Sequence, residues 1–155
     1  MASKCTKSQL YKETAKKTFD FLLSITHAND KISVISNIGR HYEGQEKKHF
    51  GEQPLEFAYT ILALEWFYKE FEDPVYLDHM GATFNWYLGK NHLHHIIYNP
   101  CTGGCYDGLE EHHINLNQGA ESTISFLLAR LTVESYSERI AVLEPALIEK
   151  QLQYM

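Results

Sequence analysis

Apolar residues recur at helical spacing from about Ser8 to Thr26, where Leu10, Phe19, Leu22, Leu23 and Ile25 form one stripe. Lys12, Lys16 and Lys17 occupy the polar side, so the pattern predicts an amphipathic helix. The stretch His27-Ala-Asn-Asp30 reads as its end. From Lys31 to Gln53 the period is lost. Gly39, Gly44 and Gly51 punctuate the stretch around a short apolar patch at Ile32, Val34 and Ile35. It reads as a long loop holding at most a short strand, and loops of that length tend to serve function or to be disordered.

Pro54 suits a first helical position, because its φ is fixed and its missing N–H would be unsatisfied there anyway. The helix it opens runs to about Phe71. Leu55, Phe57, Ala58, Ile61, Leu62, Leu64, Trp66 and Phe67 cover most of its circumference, which predicts burial on nearly all sides. Asp73-Pro74 supplies a cap and first-turn signal for a third helix, about Pro74 to Leu88, ended by Gly89. A loop rich in Gly, Asn and His follows from Lys90 to Asn117. The fourth helix, about Gln118 to Glu134, carries Ile124, Phe126, Leu127, Leu128 and Leu131 and is also apolar nearly all round. The fifth, Ser137 to about Leu152, contains Pro145, which kinks a helix or delays its start.

The pattern therefore predicts one all-α domain over residues 1–155, with about five helices, two long loops and a frayed terminus at 1–7. The second and fourth helices read as inner, and the first, third and fifth as outer. Such alternation belongs to helical-hairpin toroids and solenoids. An internal repeat points the same way: Gln53-Pro-Leu-Glu56 and Gln118-Gly-Ala-Glu121 each place Q-x-x-E at the start of an inner helix.

Composition narrows the class. The chain has 155 residues, 44% of them hydrophobic and 22% charged, as in an ordinary folded domain. Its net charge of −6 lacks the basic footprint of a nucleic-acid binder. No apolar run approaches the roughly 18 residues that span a bilayer, so no membrane partner is expected. The lysine-rich start, Met1 to Gln9, carries no secretory signal pattern. Three cysteines are too few for a disulfide scaffold, and a reduced, cytoplasmic chain is the expectation.

Candidate chemistry gathers at the inner-helix starts. Glu121 falls in the first turn of its helix, where free N–H groups and the dipole favour a charged carboxylate. That suits a general base, a nucleophile or an acceptor for sugar hydroxyls; stabilising its own helix is the plainer alternative. Asp107 precedes Gly108 in a turn dipeptide. Asn115, Asn117 and Gln118 flank the helix start, with Asn117 as its N-cap. Glu52, Gln53 and Glu56 form a second set. Clustered amides and carboxylates near tyrosines such as Tyr106 match hydroxyls, which need paired donors and acceptors. Glu56 and Glu121 are the pair whose separation distinguishes a retaining (about 5–5.5 Å) from an inverting (about 6.5–9.5 Å) glycosidase. Zinc is the rival reading, through His92, His94, His95, Cys101, Cys105, His112 and His113. Cys-x3-Cys lacks the second tight pair of a structural site, so no metal and no cofactor are expected.

Two blocks, Tyr98-Asn-Pro-Cys-Thr-Gly-Gly-Cys-Tyr-Asp-Gly-Leu109 and Asn115-Leu-Asn-Gln-Gly-Ala-Glu-Ser-Thr123, resemble the end of a helical domain appended to bacterial glycosyltransferases. That domain is similar to the six-hairpin glycosidases, whose fold is an (α/α)6 toroid. Ile35-Ser-Asn-Ile-Gly39, Phe50-Gly-Glu-Gln-Pro54 and Phe84-Asn-Trp-Tyr-Leu-Gly-Lys-Asn91 resemble further blocks of it. The chain departs from the family at Arg40, where a tryptophan is common, and at Gly51-Glu52, where Asp-Gln is common. The resemblance implies the C-terminal half of a toroid, a carbohydrate ligand, and glycoside processing rather than complete glycosyl transfer. The family assigns no reaction to particular residues, so the catalytic candidates are those the residues themselves suggest, Glu121, Glu56 and Asp107, with sugar contacts expected from Asn37, Glu52, Gln53, Tyr106, Asn115, Asn117 and Gln118. The alternative is an interaction module or inactive fragment. Its uncovered inner helices would pair with a second copy, or with a partner that supplies the missing half.

Overall fold

The computed structural model describes residues 5–28, 31–35, 42, 44–46 and 49–140. Four helices carry about half of these residues: α1 (Gln9–Thr26), α2 (Pro54–Phe71), α3 (Val75–Asn85) and α4 (Ala120–Glu134). The chain is not purely helical. Strands β1 (His27–Ala28) and β2 (Lys31–Ile32) pair antiparallel, as do β3 (Gly108–Leu109) and β4 (Ile114–Asn115). The fifth helix does not begin at Ser137: residues 135–139 are turns, and the rest of that stretch, from residue 141, lies outside the described residues. Among the described residues no helix is long and apolar enough to cross a membrane.

Local chemistry explains the helix limits. Gln53 caps α2, Pro54 opens it, and the Glu56 Oε2 accepts from the Gln53 N–H at 3.0 Å. At the other end Glu72 takes a left-handed φ of 56° and its N–H reaches the Tyr68 carbonyl at 2.8 Å. The Asp73 Oδ1 accepts from the Val75 N–H at 3.0 Å and so caps α3. The α-helix proper stops at Asn85, and the chain runs on to Gly89 in tighter turns whose N–H groups bond three residues back, ending at the positive φ of 97° that Gly89 supplies; Trp86 and Tyr87, in these turns, are fully buried.

The core is built on aromatic contacts between α2 and its neighbours. Phe57 stacks on Trp86 at 3.8 Å and 13°, and Phe67 stacks on Phe19 of α1 at 4.2 Å. Lys12 is no free solvent lysine, since it pairs with Glu70 at 3.0 Å and lies over the Phe71 ring. Helix α4 joins through Phe126, which stacks on Tyr98 at 4.9 Å. Helix α2 packs along both α3 and α4, more extensively than any other helices pair.

The segment between α3 and α4 is ordered by backbone pairing rather than by periodicity. Asn91 binds the carbonyls of Trp86 and His95 through Nδ2, at 2.9 and 2.7 Å, and accepts the His95 N–H through Oδ1. Tyr98 bridges to Cys105, and Leu109 bridges to Glu52 by two bonds of 2.8 and 3.0 Å. The last contact ties this segment to the start of α2. At Gly108 an added Cβ would sit 3.0 Å from the Glu52 carbonyl oxygen, so a side chain would push the two strands apart.

A histidine pair joins β1, just after α1, to α3. The rings of His27 and His79 meet edge to face at 4.8 Å, and His27 is hydrogen-bonded to the hydroxyls of Thr26 and Thr83 at 2.8 and 3.0 Å. Burial holds His79 below its ordinary value of 6.5, against a smaller opposing effect of Asp78. The unfolded chain therefore takes up this proton first as pH falls. The contribution of His79 to stability is complete above pH 6.5 and is lost on acidification below it. Thermal melts between about pH 7.5 and about pH 5.5 are expected to show a falling midpoint, with a shallower fall in His79→Gln. Equal slopes in the two proteins would refute this assignment.

Candidate functional site

A cleft of about 360 Å³ opens where α2 and α4 begin, lined by Gln53, Asp107, Gly108, Glu110, Asn115, Gly119, Ala120, Glu121 and Ser122. Both helices begin at it, and Tyr136, just beyond α4, donates to Glu65 at 3.3 Å and meets the Tyr68 ring in the second half of α2, so α2 and α4 run parallel. Asp107 organises the wall. Its Oδ1 accepts from the Gly119 N–H at 2.8 Å and from the Ser122 hydroxyl at 2.7 Å. A carboxylate from outside the helix thus caps α4, where the dipole favours negative charge. Gly119 is the N-cap residue, not Asn117, and a Cβ there would come within 2.9 Å of the Asp107 Oδ1. The backbone N–H of Asp107 is itself held by the carbonyls of Asn115 and Asn117, at 3.1 and 2.9 Å.

The two Q-x-x-E blocks are not equivalent in three dimensions. Gln53 is the N-cap of α2, so Glu56 is the third helical residue and folds back onto that cap. The cap of α4 is Gly119, so Gln118 stands outside the helix and Glu121 is its second residue. One residue of offset rotates Glu121 by about 100° relative to Glu56, since a helix turns once in 3.6 residues. Glu121 is exposed and lines the cleft; Glu56 is half-buried and outside the lining. Burial raises the Glu56 carboxyl above its ordinary value of 4.5; the Gln53 N–H opposes this, and the nearby Glu52 charge adds to it.

Gln53, Asp107, Asn115 and Glu121, all predicted from sequence, share the cleft. Glu52 is buried beneath it, where its Oε2 accepts from the Trp86 indole N–H at 2.8 Å. Tyr106 is half-buried against the core, and Asn117 is exposed beside the cleft. Gln118 is exposed and accepts from the Thr102 hydroxyl at 2.5 Å. Asn37 lies outside the described residues. Glu110 and Ser122 line the cleft without having been singled out by the sequence. The Ser-Thr pair in the first turn of α4 was the available signal for Ser122, and Glu110 had none.

The zinc alternative does not assemble. Among the described residues, which include all seven of its side chains, no group of three or more His, Cys, Asp or Glu could hold a metal ion. Cys105 is buried, its thiol pushed up to about 12 by burial and by the Asp107 charge, and its Sγ donates to the Ile97 carbonyl at 3.4 Å. The His92 Nε2 is hydrogen-bonded to the Glu110 carbonyl at 2.8 Å.

Chemically, the cleft offers three carboxylates, two amides and a hydroxyl. Among the described residues no Lys, Arg or His lines it. Such a wall accepts and donates hydrogen bonds densely and repels anions. No protein-family model matches the chain, and no curated protein matches it in sequence.

Proposed function

We propose that this chain binds a neutral glycan in the cleft between α2 and α4, as the C-terminal half of a six-hairpin-glycosidase-like toroid. One observation carries the reading: Gln53, Asp107, Glu110, Asn115, Glu121 and Ser122 converge on a single cleft at the ends of two parallel helices. Sugar hydroxyls each need a donor and an acceptor, and carboxylate–amide clusters meet that need. The volume, about 360 Å³, is at the small end of the ligand-pocket range and suits one or two sugar rings. The alternation of α2, α3 and α4, with α2 and α4 parallel, supports the hairpin-toroid reading.

Binding is favoured over glycoside hydrolysis. The protonation-prone Glu56 is outside the cleft lining, and Asp107 is committed to the cap of α4. Titration with neutral methyl glycosides of glucose, mannose and galactose, followed by NMR shifts of the cleft amides, tests the proposal. At least one is expected to bind in the millimolar range, and glucuronic acid is expected not to bind. Glu121→Gln is expected to weaken binding about tenfold, the effect of one charged hydrogen bond. Shifts absent for all three sugars, or unaltered by Glu121→Gln, would overturn it.

A further inference from the structure

Among the described residues, one side of the layer formed by α2 and α4 is covered. On that side Phe67 and Phe71 meet Phe19 and Tyr76, while Phe126 and Thr123 meet Tyr98 and the Cys105 N–H. The opposite side is apolar as well. Leu55, Tyr59, Leu62 and Trp66 follow each other at i, i+4, i+7 and i+11 along α2, with Tyr59 and Trp66 exposed at 63% and 46%. Along α4, Ile124, Leu127, Leu128 and Leu131 follow at i, i+3, i+4 and i+7, and their exposures are 56%, 44%, 45% and 65%. Burial on nearly all sides, expected for these two helices from their sequence, is therefore not what the fold delivers.

We propose that this two-helix face is where two copies of the chain pair about a two-fold axis, burying Tyr59 and Trp66 of α2 together with Ile124, Leu127, Leu128 and Leu131 of α4. The argument is independent of the glycan cleft. Six side chains at these exposures present on the order of 600 Å² of accessible surface, taking roughly 200 Å² for each full side chain. That equals the upper limit of about 300–600 Å² for the largest patch on a typical monomer. It is most of the roughly 800 Å² that each partner buries in a stable complex.

The rim identifies the occupant. It carries two ion pairs, Lys69 with Glu65 at 2.7 Å, the Lys69 Nζ lying 5.4 Å from the Trp66 ring, and Arg130 with Glu134 at 2.7 Å along α4. Two charges of each sign suit a surface that meets its own copy, because a two-fold contact sets the same patch against itself and an unbalanced rim would repel. A membrane-surface helix pair needs a basic rim instead. Stacking the layer on a second copy also supplies the packing partner that an apolar helix face requires.

Sedimentation velocity of the full chain from about 1 to about 100 µM, spanning the affinities usual for such interfaces, tests the proposal. A monomer–dimer equilibrium is expected, with dimer dominant at the upper end. Leu128→Glu is expected to weaken it about 30-fold or more while the thermal melt of the monomer is retained. Trp66 offers a readout that needs no variant. Its emission shifts to the blue as dimer forms, while Trp86 is already buried at every concentration. A wild-type chain that stays monomeric at about 100 µM without an emission shift, or a dimer untouched by Leu128→Glu, overturns the proposal.

Discussion

Trp86→Ala is expected to destabilise the chain by about 3–5 kcal/mol, read from urea midpoints. The indole is fully buried, stacked on Phe57 at 3.8 Å and set edge-on to Tyr87 at 5.1 Å. Truncation opens a cavity and also removes the 2.8 Å indole donor from the buried carboxylate of Glu52. Glu52 is 5% exposed, so losing a donor there is costly. Trp86→Phe separates the two contributions. It keeps most of the stacked ring but no N–H, and is expected to cost about 1.5–3 kcal/mol, the range of a hydrogen bond to a charged group. A loss below about 1 kcal/mol for Trp86→Ala would contradict full burial of this ring.

Asp107→Ala is the second large effect, about 2–3 kcal/mol. One oxygen of Asp107 satisfies the Gly119 N–H and the Ser122 hydroxyl, so its removal strips the first turn of α4 of both bonds. The same change loosens a wall of the cleft. Sugar binding should fall together with stability, and hydrogen exchange should quicken at the amides of residues 119–123. Asp107→Asn keeps an acceptor but loses the charge at the helix end, and should cost about 1 kcal/mol or less. If Ala and Asn cost the same, the dipole rather than the hydrogen bonds dominates and the geometric account of the cap fails.

These two residues show why the site was only partly legible in the sequence. Asp107 stood out in the sequence, yet it precedes glycine and its local reading is a turn. Its capping of α4 joins residues 12 and 15 positions apart through space. Trp86 sat inside an apolar helical pattern that did not set it apart from its neighbours. Its partner Glu52 lies 34 positions away. The ribbon network between α3 and α4 was invisible for the same reason. It rests on backbone pairs such as Glu52 with Leu109, and backbone groups leave no mark in composition.

The sequence by itself determined the helices whose signals are local. The span of α2 from Pro54 to Phe71 follows from its apolar run and its Gln53–Glu56 box, and Asp73 marked the start of α3. It also singled out Gln53, Asp107, Asn115 and Glu121 as polar residues near helix starts. Tertiary structure alone decided the rest: that α2 and α4 lie parallel, that Glu121 faces the cleft while Glu56 turns away, and that one apolar face of their layer is exposed. The physical reason is periodicity. A helix's own residues fix which side chains share a face, but what that face meets is set by elements distant in the chain.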